Sequence, residues 1–147
     1  MYHQIILIIH LLAASIWVGG HLFLVLRILP ATIQQKNISI LSDFRVKFGR
    51  IGMPSLFILV ITGILMAYDY NVTISKWFSF SSPIEKIVST KLLLLFTSLI
   101  IAIHSQKFVF PKLTSERMLL AIIEITLVTI IGVTMLILGS LVRIGGI

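Results

Sequence analysis

The sequence predicts an all-α fold, a polytopic membrane four-helix bundle, and three observations support this prediction. Hydrophobic residues make up 58% of the 147 residues and charged residues only 12%, with a mean hydropathy of +1.11. A soluble domain carries about 45–50% apolar residues, so the chain is too apolar for that class. Four apolar runs are each long enough to cross a bilayer, which requires about 20 residues. Because they occupy nearly the whole chain, we expect residues 1–147 to form a single transmembrane domain.

The four predicted helices cover about residues 2–29, 48–70, 83–110 and 116–142. The first ends where Pro30 interrupts the apolar run, and the basic segment Arg45, Lys47 and Arg50 opens the second. Pro83 is a favourable first-turn residue for the third helix, which ends before Pro111. The first run lacks the positive n-region and the cleavage site of a signal peptide, so we expect it to be retained as a helix.

The distribution of Lys and Arg predicts the orientation in the membrane. Eight lie near the first and third connections: Arg27, Lys36, Arg45, Lys47, Arg50, Lys107, Lys112 and Arg117. Four lie on the opposite side: Lys76, Lys86, Lys91 and Arg143. Because cytoplasmic loops carry the excess of Lys and Arg, we predict a multi-pass protein of the bacterial inner membrane with both termini periplasmic. This topology accounts for the formal net charge of +7, so we expect a lipid bilayer and no nucleic acid as partner.

Three histidines lie on one face of the first predicted helix. At about 100° per residue, His3, His10, Trp17 and His21 return to one stripe. Gly20 lies beside this stripe, where its small size lets a neighbouring helix or a flat cofactor approach the backbone. Two interpretations stay open: the histidines hydrogen-bond across a packing seam, or they hold a metal or a cofactor.

Depth in the membrane connects His21 with a histidine on another helix. His21 and His104 lie about 19 and 20 residues from the outer ends of the first and third helices, which run in the same direction. Two imidazoles at one depth on different helices can hold a haem iron from both axial sides, and the same geometry can bind a bare metal ion. The chain has no cysteine, which excludes covalent haem attachment and thiolate metal sites.

Other polar residues are candidates for supporting roles. Glu124 lies at a similar depth, where it could orient a ligand histidine, pass protons to a quinone or substrate, or simply pair with a nearby polar group. Arg27 lies toward the cytoplasmic boundary, as do Arg45, Arg50 and Lys107, and these residues could pair with haem propionates. A second haem would use His10 with an unusual partner such as Met135, Lys91 or water. Lys91 could instead extend its amine to the outer interface.

These residues resemble those of a known family. The segment His10–Gly20 reads HLLAASIWVGG, and it resembles the first helix of the copper resistance protein D (CopD)-like integral membrane family. The likeness extends over Thr62-Gly63, the run that begins at Lys91 and the later His104, about three quarters of the chain. The chain is more distantly similar to HemJ-type four-helix protoporphyrinogen oxidases. The resemblance implies a four-helix core that handles copper or haem, with His10, Trp17 and Lys91 at motif positions.

The leading functional hypothesis is a small b-type cytochrome that carries one or two haem b groups and moves electrons within the membrane. It places haem between His21 and His104, and a second haem at His10. The first alternative is a copper-transport protein in which His3, His10 and His21 form successive metal stations. The second is a HemJ-like protoporphyrinogen oxidase, so whether the chain is an enzyme stays open. Partners would be a quinone or a redox protein, and small-residue faces would permit a homodimer.

Overall fold

The computed structural model describes residues 1–114, 117–142 and 144–145, and within these ranges it contains helices and no strand. Four helical spans in the described part are long and apolar enough to cross a membrane: Tyr2–Gln34, Ile38–Asp69, Pro83–Lys112 and Met118–Val142. The prediction of an all-α four-helix bundle is therefore confirmed. The chain is a multi-pass membrane protein whose apolar surface belongs in a lipid bilayer.

The four spans are built from five α-helices: α1 (Tyr2–Phe23), α2 (Leu29–Gln34), α3 (Ile38–Asp69), α4 (Pro83–His104) and α5 (Met118–Val142). A π-helical turn, Leu24–Ile28, joins α1 to α2 within the first span. A second π-helical turn, Ser105–Val109, follows α4 and leads into the short 3₁₀ segment Phe110–Lys112. A further 3₁₀ turn, Ile74–Lys76, lies in the connection between α3 and α4.

The first and second spans differ from the predicted boundaries. The first continues past Pro30 to Gln34, because the preceding π-helical turn places Pro30 in the first turn of α2, where its missing N–H breaks no bond. The second begins at Ile38, ten residues before the predicted start. Asn37 caps α3 by accepting the backbone N–H of Ser39 at 3.0 Å, so the basic segment forms part of the helix.

The third and fourth spans also carry specific end signals. Ser82 caps α4 by accepting the backbone N–H of Glu85, while the Glu85 carboxylate accepts the backbone N–H of Ser81. The α-helix ends at His104, and the π-helical and 3₁₀ turns carry the third span to Lys112, slightly past the predicted end. α5 is described from Met118, and the predicted start at Glu116 lies outside the described residues, as does Arg143.

The packing order of the helices leaves one side of the bundle open. α1 packs along α3, and α5 packs against both α1 and α4. α3 and α4 do not pack closely, so a cleft remains between them with α1 and α5 as its floor. We call the end where α2 meets α3 the basic end, and the end with Met1 the terminal end. Two hydrophobic clusters fill the floor, one around Leu24 and Ile125 and one around Trp17 and Val128.

Candidate functional site

A cavity of about 150 Å³ lies in the cleft, in the half of the bundle nearer the basic end. Its floor is formed by α1 and α5 and its walls by α3 and the third span. The lining includes Trp17, His21, Phe44, Arg45, Phe48, Gly49, Gly52, Ser98, Ala102, Ser105, Gln106, Phe110, Glu124 and Val128. An open pocket of about 430 Å³ at the basic end shares Arg45, Gly49, Met53 and Gln106 with this lining. The lining is mostly apolar, with a few polar groups in fixed positions, as small-molecule sites usually are.

His21 is the histidine that lines the cavity. Its Nδ1 lies 2.8 Å from the carbonyl oxygen of Trp17, one turn earlier on α1. Because a carbonyl can only accept, Nδ1 carries the proton and donates it, which leaves the lone pair of Nε2 available. The ring packs against Trp17 at 4.5 Å and edge-on against Phe48 at 5.6 Å between centroids. His21 is therefore held in one tautomer and one orientation with a free metal-binding nitrogen.

Glu124 links the cavity with His104. Its Oε1 accepts a hydrogen bond from Nδ1 of His104 at 2.6 Å, so the contact predicted between Glu124 and a histidine is present. Its Oε2 is buried and has no hydrogen-bond partner within the described residues. The His104 side chain is 49% exposed, packs beside Phe108 and does not belong to the cavity lining. The structure thus brings His21 and Glu124 to one cavity and places His104 beside Glu124, away from that lining.

The other two histidines of α1 form hydrogen bonds to α3. His10 Nδ1 lies 2.7 Å from Oγ1 of Thr62, which in turn donates to the carbonyl of Ile58. His3 Nδ1 lies 2.8 Å from Oδ2 of Asp69, near the terminal end. The predicted stripe therefore lies along the seam between α1 and α3, and these two histidines make the cross-helix hydrogen bonds of the packing interpretation.

The remaining predicted site residues are separated from the cavity. Lys91 points toward α5, where a Cβ added to Gly139 would lie 3.4 Å from its Nζ. Met135 packs on the hydrophobic cluster around Trp17. Arg27 is exposed and lines neither the cavity nor the open pocket. Among the described residues, the structure contains no group of three or more His, Cys, Asp or Glu side chains that converge as metal ligands.

The Phe48 ring packs directly against α1 at Gly20, where no side chain is present. A Cβ added to Gly20 would lie 2.0 Å from Cε2 of Phe48, and one added to Gly52 would lie 2.9 Å from Cε1 of the same ring. The ring also stacks on Phe44, with an interplanar angle of 13°. The close approach expected at Gly20 therefore occurs, and in this structure an aromatic side chain of α3 makes it.

Sequence reasoning did not identify four of the small residues that line the cleft. Gly49 lines it from α3 beside Gly52, and Ser98, Ala102 and Ser105 line it from the third span. Their spacing of three or four residues places each set on one helix face, and small residues at this spacing are a recognised signal of close approach in membrane helices. That signal could have located the cleft, although it could not show that the two faces stay apart.

The hydrogen bond between His10 and Thr62 gives a testable expectation for stability. Replacing Thr62 with valine keeps the side-chain shape and removes the acceptor, so we expect a loss of roughly 0.6 kcal/mol, and at most about 1.7 kcal/mol, of unfolding free energy. Denaturant unfolding in detergent micelles would measure it. Thr97→Val is the matched control, because the Thr97 hydroxyl bonds only to its own helix, at the carbonyl of Leu93. Equal effects of the two substitutions would contradict a cross-helix contribution.

Comparisons of the chain with protein-family models, with curated proteins and with solved structures found no match.

Proposed function

We propose that the chain is a membrane-embedded haem b-binding protein, a small b-type cytochrome that transfers electrons within the bilayer. The observation that carries the proposal concerns His21, a residue of the cavity lining whose Nδ1 donates to the Trp17 carbonyl, which leaves the Nε2 lone pair available to a ligand. A hydrogen bond from the second ring nitrogen is the usual support of a metal-ligating histidine, because it fixes the tautomer and raises the basicity of the ligand. His104 has the same support from Glu124.

The side chains that line the cleft are chemically suitable for a flat apolar cofactor, and the cleft must widen to admit one. Gly49, Gly52 and Ala102 present little side-chain bulk along the walls. The cavity alone, at about 150 Å³, is smaller than the roughly 300–1,000 Å³ of typical small-molecule sites, so Phe48 or the wall helices must move outward. His104 could help His21 to hold the haem only if its ring turned from Glu124 into the cavity. Bound haem would supply a one-electron couple.

The orientation that follows from the positive-inside pattern places this site in the cytoplasmic half of a bacterial inner membrane, with both termini periplasmic. The electron donor and acceptor would then be a membrane quinone or a redox protein, and the exposed small-residue faces leave room for a homodimer. The copper-transport and HemJ-like oxidase functions remain alternatives. Metal analysis tests the first, and complementation of a strain that lacks protoporphyrinogen oxidase tests the second.

An absorption spectrum with metal analysis tests the proposal. The protein would be produced in a haem-competent host, purified in mild detergent and examined oxidised and dithionite-reduced, with iron and copper measured on the same sample. We expect a Soret band and iron near one equivalent. Narrow, split reduced bands would indicate two histidine ligands, whereas a high-spin spectrum that responds to carbon monoxide would indicate His21 alone. A featureless spectrum from a well-folded sample would refute haem binding, and stoichiometric copper would then support the transport function.

A further inference from the structure

Arg45 stands at the boundary between the cavity and the open pocket. It lies on α3 and lines both spaces. Its guanidinium reaches across the cleft to the third span, where it donates to Oε1 of Gln106 and lies 3.7 Å above the centre of the Phe110 ring. These contacts join the two walls of the cleft at its basic end, so any ligand of the cavity would lie next to this guanidinium.

One hydrogen-bond donor of the Arg45 guanidinium has no partner in the part of the chain that the structure describes. Its Nε is buried and has no hydrogen-bond partner within residues 1–114, 117–142 and 144–145. No carboxylate of this described part lies within ion-pair distance of Arg45. A buried donor without an acceptor costs free energy, and a bound acceptor oxygen would recover it. Because the unpaired charge is positive and the guanidinium fork matches two oxygens, a carboxylate or a phosphate is the complementary group.

The two adjoining spaces of the cleft suit a ligand with two parts. The cavity, at about 150 Å³, is smaller than an ordinary small-molecule site, and the adjoining open pocket, at about 430 Å³, lies within the usual range of roughly 300–1,000 Å³. The cavity is lined largely by apolar and aromatic side chains. Arg45 and Gln106 line both spaces where the two adjoin, and the open pocket adds Arg50. The lining runs from Phe44 to Leu56 along α3, about 18 Å of helix. A ligand with an apolar body in the cavity and acidic groups at the basic end would match the chemistry of both spaces.

We propose that the cleft binds a tetrapyrrole as its free dicarboxylate, with the macrocycle in the cavity toward His21 and the carboxylates at the basic end. Arg45 is the main carboxylate partner, with Nε as the donor, and exposed Arg50 serves the second carboxylate. Access is between α3 and the third span, and it requires the contact between Arg45 and Gln106 to open. This inference rests on the proposed function and adds the orientation and the chemical form of the ligand.

Binding of haemin and of haemin dimethyl ester to the purified protein in detergent tests the inference. The two probes share the macrocycle and the iron, and they differ only in the charge of the two side chains. We expect the ester to bind about tenfold more weakly or worse, as loss of a charge-assisted hydrogen bond requires. Arg45→Gln should remove most of the difference between haemin and the ester, leaving the part that Arg50 contributes, and should change ester binding much less than haemin binding. Arg45→Lys should restore only part of the difference, because lysine lacks the guanidinium fork.

Lys47→Gln is the matched control, since it removes one positive charge from the same helix at an exposed position outside both spaces. We expect it to keep the difference between haemin and its ester.

Equal binding of haemin and ester by the unmodified protein would overturn the inference and leave haem binding intact, whereas binding of neither would refute the proposed function itself. If Arg45→Gln fails to fold, the affinities of haemin and its ester for the unmodified protein still test whether the carboxylates contribute to binding.

Discussion

His21→Ala is expected to abolish haem binding, with the loss of the Soret band and of protein-bound iron. The physical reason is that His21 is the histidine in the cavity lining, and its Nε2 is left free by the hydrogen bond from Nδ1 to the Trp17 carbonyl. Without the His21 imidazole, α1 would offer a haem in that apolar cavity no nitrogen ligand. The haem-to-protein ratio of variants expressed and purified in parallel would measure the effect.

Two companion variants make the His21 result interpretable. Leu22→Ala is the control, because Leu22 is the next residue of α1 and is exposed on the apolar surface. His21→Gln retains an amide that can donate to the Trp17 carbonyl while it removes the imidazole, so it separates ligation from local helix support. A normal haem content in both His21 variants would disprove the assignment of His21 as a ligand.

His104→Ala then distinguishes two forms of the haem hypothesis. If His104 turns into the cavity and ligates, the variant should lose the low-spin spectrum and become high-spin. If His104 stays against Glu124, as it does in this structure, the spectrum should be unchanged apart from small shifts. The same absorption spectra distinguish the two outcomes, and both are observed on folded, purified protein.

Gly20→Ala is expected to lower the free energy of unfolding by about 1–3 kcal/mol. The added Cβ would lie 2.0 Å from the Phe48 ring. Movement of the ring away from Gly20 is restricted, because the ring also packs against Gly52, where an added Cβ would lie 2.9 Å from Cε1, and stacks on Phe44. Overpacking of this kind forces side chains out of their rotamers and shifts the backbone. Denaturant unfolding in micelles, followed by tryptophan fluorescence, would measure the change.

Gly19 provides a matched control for this prediction. A Cβ added to Gly19 meets no atom within 4 Å, so Gly19→Ala should be neutral or slightly stabilising, as alanine favours a helix more than glycine does. In a Phe48→Ala background the cost of Gly20→Ala should largely disappear, which a double-mutant cycle would detect as coupling. Equal stabilities of the two glycine variants, or a full cost without Phe48, would contradict the packing of the ring against Gly20.

The sequence alone determines the class of fold, because membrane spans are governed by length and hydropathy, and these are local properties of the chain. It also places the polar groups, since each is conspicuous in an apolar helix, and 3.6-residue periodicity correctly assigns His3 and His10 to one face of α1. The helix ends were less predictable. The early start of α3 depends on a cap at Asn37, and the passage of the first span through Pro30 depends on a π-helical turn.

The tertiary structure decides which polar groups meet. Equal depth made His21 and His104 a natural pair, yet depth does not fix the rotation of a helix about its axis, and that rotation sets which neighbour a side chain faces. In the bundle, His104 faces Glu124, while His21 faces the cleft between α3 and the third span. The cleft itself exists because α5 separates α4 from α1 and the small residues of α3 and the third span face each other without closing. Those relations depend on the packing of four helices at once, and no single segment of the sequence encodes them.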